Sequence, residues 1–150
     1  MSHTTKINSV PIKDISALNA AVDELKSLGI NCELVEKQQP RMYYNNQGGV
    51  CDFVLKLHDT KYDVGFQKDE TDGTYKIIYD DYMGYVKGKL GAACPLPNTQ
   101  EERLQHSVGK LMQLYSKHAT INAATLQGYL VESCYEDEHH NLQLVIGGIH

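Results

Sequence analysis

The side chains of this chain that could do chemistry are few and scattered. His139 and His140 stand beside Glu136, Asp137 and Glu138. Imidazole and carboxylate both ligate divalent metals. Neighbouring residues on a strand point to opposite faces, so two adjacent histidines do not readily reach one ion. A solvated hairpin tip explains the same residues more simply, and a metal site at Glu136, Glu138, His139 and His140 is the alternative reading. Asp69, Glu70 and Asp72 precede Gly73, in the manner of a calcium loop. An EF-hand closes with a bidentate Glu and is flanked by helices. Here position 81 is Asp and the segment lies between strand-like runs, so it reads as a polar turn.

The four cysteines, Cys32, Cys51, Cys94 and Cys134, form no Cys-x-x-Cys pair. Structural zinc sites need ligands paired a few residues apart, and these gaps are long and uneven. Buried, reduced thiols are expected, with Cys94 beside Pro95 the best exposed candidate. His118 falls near the apolar stripe of a helix, where a hydrogen-bonded structural histidine is the simpler role than catalysis. There is no Gly-x-Ser-x-Gly elbow, and Gly84-Tyr85-Val86-Lys87-Gly88-Lys89 fails the spacing of a phosphate loop. No catalytic set emerges, and no cofactor is expected.

Tyrosine is the most unusual feature. The chain has ten, against two Phe and no Trp. Tyr43 and Tyr44 fall in a loop beside Arg41, and Tyr79, Tyr82 and Tyr85 crowd a second loop around Asp80 and Asp81. Tyrosine joins apolar area to a polar tip, which suits core edges and protein interfaces. Exposed aromatics can also stack nucleobases. The net charge of −5 argues against that, because nucleic-acid binders gather basic residues and the only local cluster here is Lys87-Gly88-Lys89. The 150 residues suit one domain, with 41% apolar and 22% charged residues. No apolar run approaches the roughly 20 residues of a membrane helix, and the first residues lack the apolar stretch of a signal peptide. A cytoplasmic protein with no membrane partner is expected.

These residues must be positioned by elements that the pattern predicts. Thr4–Ile12 alternates as a first strand. Asp14 caps a helix whose apolar face is Ile15, Leu18, Val22, Leu25 and Leu28, with Gly29 as its stop. Asn31–Lys37 is a second strand. Val50–Asp59, Tyr62–Gln67 and Tyr75–Tyr79 make an antiparallel meander, with Lys68–Gly73 as one turn. Residues 81–98 hold too many Gly and Pro for a regular element. Thr99 and Glu102 form a capping box before a helix with Leu104, Val108, Leu111, Tyr115 and His118 on one face. That helix can run to Gly128. Tyr129–Tyr135 and Leu142–Ile146 close the chain as a hairpin. The expected fold is α+β: an antiparallel sheet with two amphipathic helices on one face, in a ferredoxin-like arrangement.

Several of these segments together resemble the Ycf-thirty-five-like family, a domain of unknown function of cyanobacteria, algal plastids and cyanophages. The segments are Met1-Ser2-His3, Ile12-Lys13-Asp14, and Arg41-x-Tyr43-Tyr44-x-x-Gln47. They continue with Tyr62-Asp63-Val64-Gly65-Phe66, Asp72-Gly73-Thr74-Tyr75 and Asp80-Asp81-Tyr82-x-Gly84. Gln113-Leu114-Tyr115 and Gly128-Tyr129 with Leu142-x-Leu144-Val145 complete the set. Where the family tends to have Trp-Trp-Gly, this chain has Asp81-Tyr82 before its glycine, and the loop at Tyr85–Asn98 is longer. The resemblance implies an intracellular protein of cyanobacterial or cyanophage origin, with no activity to carry over. It also suggests an adaptor for an ATPase of the AAA type. The reading that follows is a non-enzymatic protein-binding or adaptor module, with Arg41, Tyr43, Tyr44, Tyr82 and Tyr85 as contact residues. The alternative is a small-ligand or metal-responsive sensor, alone or as an oligomer.

Overall fold

Asp14 opens the first helix because its carboxylate supplies a partner that the first helical turn lacks. In a computed structural model of the chain, which describes residues 2–6, 11–42, 49–79, 87–91, 108–136, 138 and 142–148, Asp14 Oδ1 accepts from Ala17 N at 3.1 Å. Helix α1 spans Ile15–Ser27 and buries Ala17, Leu18, Ala21, Val22 and Leu25 along one side. Gly29, at a φ of +92°, ends it in the left-handed region that favours glycine.

Four strands follow in sequence: β2 (Cys32–Gln38), β3 (Cys51–Leu57), β4 (Val64–Lys68) and β5 (Tyr75–Tyr79). They form an antiparallel sheet in the order β2-β3-β4-β5, the predicted meander with one further strand at its edge. One cross-strand row runs Leu34, Leu55, Val64, Tyr79, and the next Glu36, Phe53, Phe66, Ile77. Gly65 is required by space: a Cβ there would lie 2.7 Å from Cys51 Sγ and 3.1 Å from Pro40 Cγ. The turn before β5 satisfies itself. Asp69 N donates to Thr74 O, and Asp72 Oδ1 accepts from the Thr74 amide and hydroxyl. These bonds lower the Asp72 carboxyl to a pKa of about 2, so the acidic run is a built turn, as its Asp-Gly pattern predicts.

Helix α2 is a single turn, Lys87–Leu90, and α3 spans Gly109–Leu126. Val108, Leu111 and Tyr115 are buried on its predicted face. Residues 92–107, including the Thr99–Glu102 pair and Leu104, lie outside the described residues. Strand β6 (Tyr129–Glu136) pairs with β7 (Leu142–Gly148) as a hairpin, and β1 (Ser2–Lys6) pairs with the far side of β7. The main core joins α1, α3 and Leu90 to Cys32, Leu55, Leu57, Tyr62, Val64 and Phe66. The long helices therefore share one apolar interior with the four-stranded sheet.

Three expectations change. The first strand is Ser2–Lys6, and Ile12 makes only an isolated bridge to Tyr75. The described strands form two sheets, β1-β7-β6 and β2-β3-β4-β5, and neither shows the interleaved strand order of a ferredoxin-like fold. Alternation marks a strand but does not say which edge it joins. Within the breaker-rich segment, Lys87–Leu90 is helical despite Gly88, because the fully buried Leu90 anchors that turn in the core.

Candidate functional site

Arg41 is the one predicted contact residue whose side chain is described. It follows Pro40 at the end of β2 and meets Asp63, which sits just before β4 with its side chain fully buried. Asp63 Oδ2 accepts from Arg41 N at 2.9 Å and from Arg41 Nε at 3.0 Å. Asp63 Oδ1 accepts from Arg41 Nη2 at 2.9 Å and from Leu57 N at 3.2 Å. Arg41 Nη2 also donates to Leu57 O at 2.8 Å, and Asp63 N returns a bond to Arg41 O. A carboxylate removed from water needs its lone pairs filled, and this one has two donors on each oxygen. Bonding to Asp63 raises the guanidinium further above its ordinary value, against the opposing effect of burial. About half of the Arg41 side chain remains exposed, and the segment that it anchors leads directly into Tyr43 and Tyr44.

A second polar cluster seams α1 to α3. The Tyr115 side chain, 1% exposed, brings its hydroxyl oxygen to Lys13 N (2.8 Å) and Asp14 N (3.0 Å), and accepts from both. Asn122 Nδ2 donates to Asp14 Oδ2 at 3.0 Å. The Asn122 bond, with the backbone bonds of the cap, holds the Asp14 carboxyl below its ordinary value against burial. Ten residues further along α1, Glu24 Oε1 accepts from Lys117 Nζ and lies 2.5 Å from His118 Nε2. Burial pushes the Glu24 carboxyl up, but the bonds from Lys117 and His118 outweigh it and hold the carboxyl low. His118 is thus the hydrogen-bonded histidine that its place in the helix predicts.

The thiols divide. Cys32 and Cys51 are buried as expected, whereas Cys134 is exposed, because it lies on β6 at the edge of the three-stranded sheet. Burial raises the pKa of Cys32 and Cys51, and at Cys134 partial desolvation by the neighbouring side chains raises it, opposed by Lys117 and aided by the Glu24 carboxylate. None is activated as a nucleophile in the way that a lowered pKa would make it. Tyr43, Tyr44, Tyr82, Tyr85, Cys94, Asp137, His139 and His140 lie outside the described residues. Glu136 ends β6 and Glu138 is exposed in the following turn. Among the described residues, no group of three His, Cys, Asp or Glu side chains could hold a metal ion. No described helix is long and apolar enough to cross a membrane.

Sequence reasoning missed Asp63, Glu24 and Tyr115 as organising residues. The available signals were faint: an acid between Tyr62 and Val64 at the start of an apolar strand, and a tyrosine on the buried stripe of α3. Residues 24–145 match a family described as a protein of unknown function, DUF1257. Neither the curated proteins nor the solved structures contain a match to this chain.

Proposed function

Starting from the fact that the chain belongs to the DUF1257 family of proteins of unknown function, we propose that it is a non-enzymatic protein-binding module. Its contact surface is built around Arg41 and the tyrosine-bearing segments at Tyr43, Tyr44, Tyr82 and Tyr85. The observation that supports this reading is the Arg41–Asp63 clamp. A fully buried carboxylate is given over to fixing the chain two residues ahead of Tyr43, while the Arg41 side chain stays half exposed. A recognition loop with a fixed base loses less entropy on binding than a free one. Tyrosine and arginine are also the side chains that carry most energy in protein interfaces.

The Ycf-thirty-five-like resemblance belongs to the same proposal. It adds a cyanobacterial or cyanophage origin and an ATPase of the AAA type as the partner class. The test is affinity capture from a native lysate with the wild type and a Tyr43→Ala/Tyr44→Ala variant of equal thermal stability. The expected result is a protein retained by the wild type and lost by the variant. Identical captures would remove the tyrosine segment as the contact surface.

A further inference from the structure

The outer edge of β6 is open among the described residues: β7 pairs one side of the strand and no described strand pairs the other. Proteins usually guard such edges with charge, proline or a covering segment. The other edges carry some of these devices. β2 has Glu33, Glu36 and Lys37, the last at a φ of +51°, β1 ends in Lys6, and Tyr75 of β5 is bridged by Ile12. β6 reads Tyr-Leu-Val-Glu-Ser-Cys-Tyr-Glu: it carries Glu132 and Glu136 but no lysine, arginine, proline or covering bridge among the described residues. Leu130 is 57% exposed, Tyr135 49% and Tyr129 39%, and Leu126, just before the strand, is 89% exposed.

A bulge on β6 decides which of these side chains share a face. Leu130 and Tyr135 are an odd number of residues apart and would face opposite ways on a regular strand. The register shifts between Val131 and Ser133, so Leu130 pairs with Gly147 and Tyr135 with Gln143. Those partners are an even number apart on β7, which places Leu130 and Tyr135 on one face. Tyr129, Val131 and Cys134, paired with Gly148, Ile146 and Leu144, take the other.

We propose that β6 is a self-association edge, pairing antiparallel with β6 of a second copy of this chain. The two-fold axis stands perpendicular to the sheet between Glu132 and Ser133. Leu130 then meets the partner's Tyr135, and Val131 meets the partner's Cys134. Glu132 meets the partner's Ser133 and Glu136 the partner's Tyr129, so no acidic residue faces another. Such an axis requires opposed residues to lie on the same face of the strand, and the bulge meets that condition for Leu130 with Tyr135 and for Val131 with Cys134. Aromatic–aliphatic cross-strand pairs stabilise antiparallel sheets, and like charges placed opposite destabilise them. The strand can therefore pair with itself in this register without setting two acidic residues directly opposite each other. This proposal stands independently of the tyrosine-segment reading.

The test is Val131→Cys in a Cys94→Ser background under mild oxidation. The bulge draws positions 131 and 134 of one strand to about 7 Å, the spacing of their partners Ile146 and Leu144 at ~3.3 Å per residue and the upper limit of a disulfide's reach. A bond between copies is told from a bond within one copy on a non-reducing gel, where only the first runs as a dimer. The expected result is a covalent dimer whose peptide map shows position 131 joined to Cys134. The dimer should vanish when Cys134→Ser is added, and the background protein without Val131→Cys should not cross-link. Light scattering should show a dimer that Leu130→Lys converts to a monomer with an unchanged circular dichroism spectrum. A monomeric wild type at every concentration overturns the proposal, also in favour of an edge that receives a strand from another protein. A dimer that Leu130→Lys leaves intact, or one cross-linked 131 to 131 or 134 to 134, overturns β6 in this register as the seam.

Discussion

Asp63→Asn keeps the shape of a buried side chain while removing its charge and one acceptor. Four donors converge on the carboxylate: the amide, Nε and Nη2 of Arg41, and the amide of Leu57. The single carbonyl oxygen of an amide serves two of them, and its NH2 then faces the other two, whichever way it is turned. Hydrogen bonds to charged groups contribute about 1.5–3 kcal/mol each, and removing one partner of a buried pair costs about 3–5 kcal/mol. Arg41 is half exposed, so water recovers part of the guanidinium solvation and the expected loss is about 2–4 kcal/mol. In a domain of this size each kcal/mol lowers Tm by about 2–4 °C, so the melting point should fall by about 5–15 °C. Urea denaturation with an unchanged m-value measures the same loss as a free energy. The double variant Arg41→Met/Asp63→Leu carries the reasoning further. Replacing a buried ion pair by apolar groups is often neutral. Here it leaves the backbone amides of positions 41 and 57 without their acceptor, and about 1–3 kcal/mol of destabilisation should persist. An Asp63→Asn loss below about 1 kcal/mol, or a double variant as stable as wild type, would refute the account of Asp63 as the fastening of this segment.

Tyr115→Phe should cost about 1–3 kcal/mol in urea denaturation, because it takes away the acceptor of the Lys13 and Asp14 amides; a change under about 0.5 kcal/mol would show that water replaces it. The Asp14 and Glu24 carboxyls lie below their ordinary values of 3.8 and 4.5, so the folded state binds fewer protons than the unfolded state in acid. Their contribution is complete above those values and is lost as pH falls through the lower folded ones; thermal melts in an acid series should start to decline near pH 4.5, and a flat profile would contradict this. Asn122→Ala should move the Asp14 carboxyl back up in an NMR titration, and an unmoved curve would dismiss Asn122 as the cause. Iodoacetamide should label Cys134 before Cys32 and Cys51 in the native protein, at a rate no faster than a small free thiol; faster labelling would mean an activation that its raised pKa denies.

Helix α1 was legible almost to the residue, except that Leu28, expected on its apolar face, lies past the last turn and is 63% exposed. Its cap, its apolar stripe and its glycine stop all lie within one short stretch, and each acts on neighbours a few residues away. The polar turn before β5 and the buried row Cys51, Leu55 and Leu57 of β3 were legible for the same reason, but Val54 on the opposite face is fully buried too, so β3 does not alternate as expected. The exposure of Cys134 was not, because it depends on which strand lies at a sheet edge. Nor was the role of Asp63, whose partner Arg41 is 22 residues away in the chain. The tyrosines counted as surface candidates include Tyr43 and Tyr82, but the tyrosine that demonstrably organises the described structure is the buried Tyr115.

The sequence by itself determined the types of the long elements, the cap of α1, the turn before β5, and most of the stripes that α1 and α3 bury. Those follow from local backbone geometry, in which periodicity and capping are written within one or two turns. Only the tertiary structure decided that the strands divide into two sheets, that β1 joins β7, and that Tyr115 reaches the cap of α1 across 101 residues. It also placed the bulge that turns Leu130 and Tyr135 to the same side of β6. Strand partners and buried polar contacts depend on which distant groups arrive together when the core closes, and no spacing along the chain records that choice.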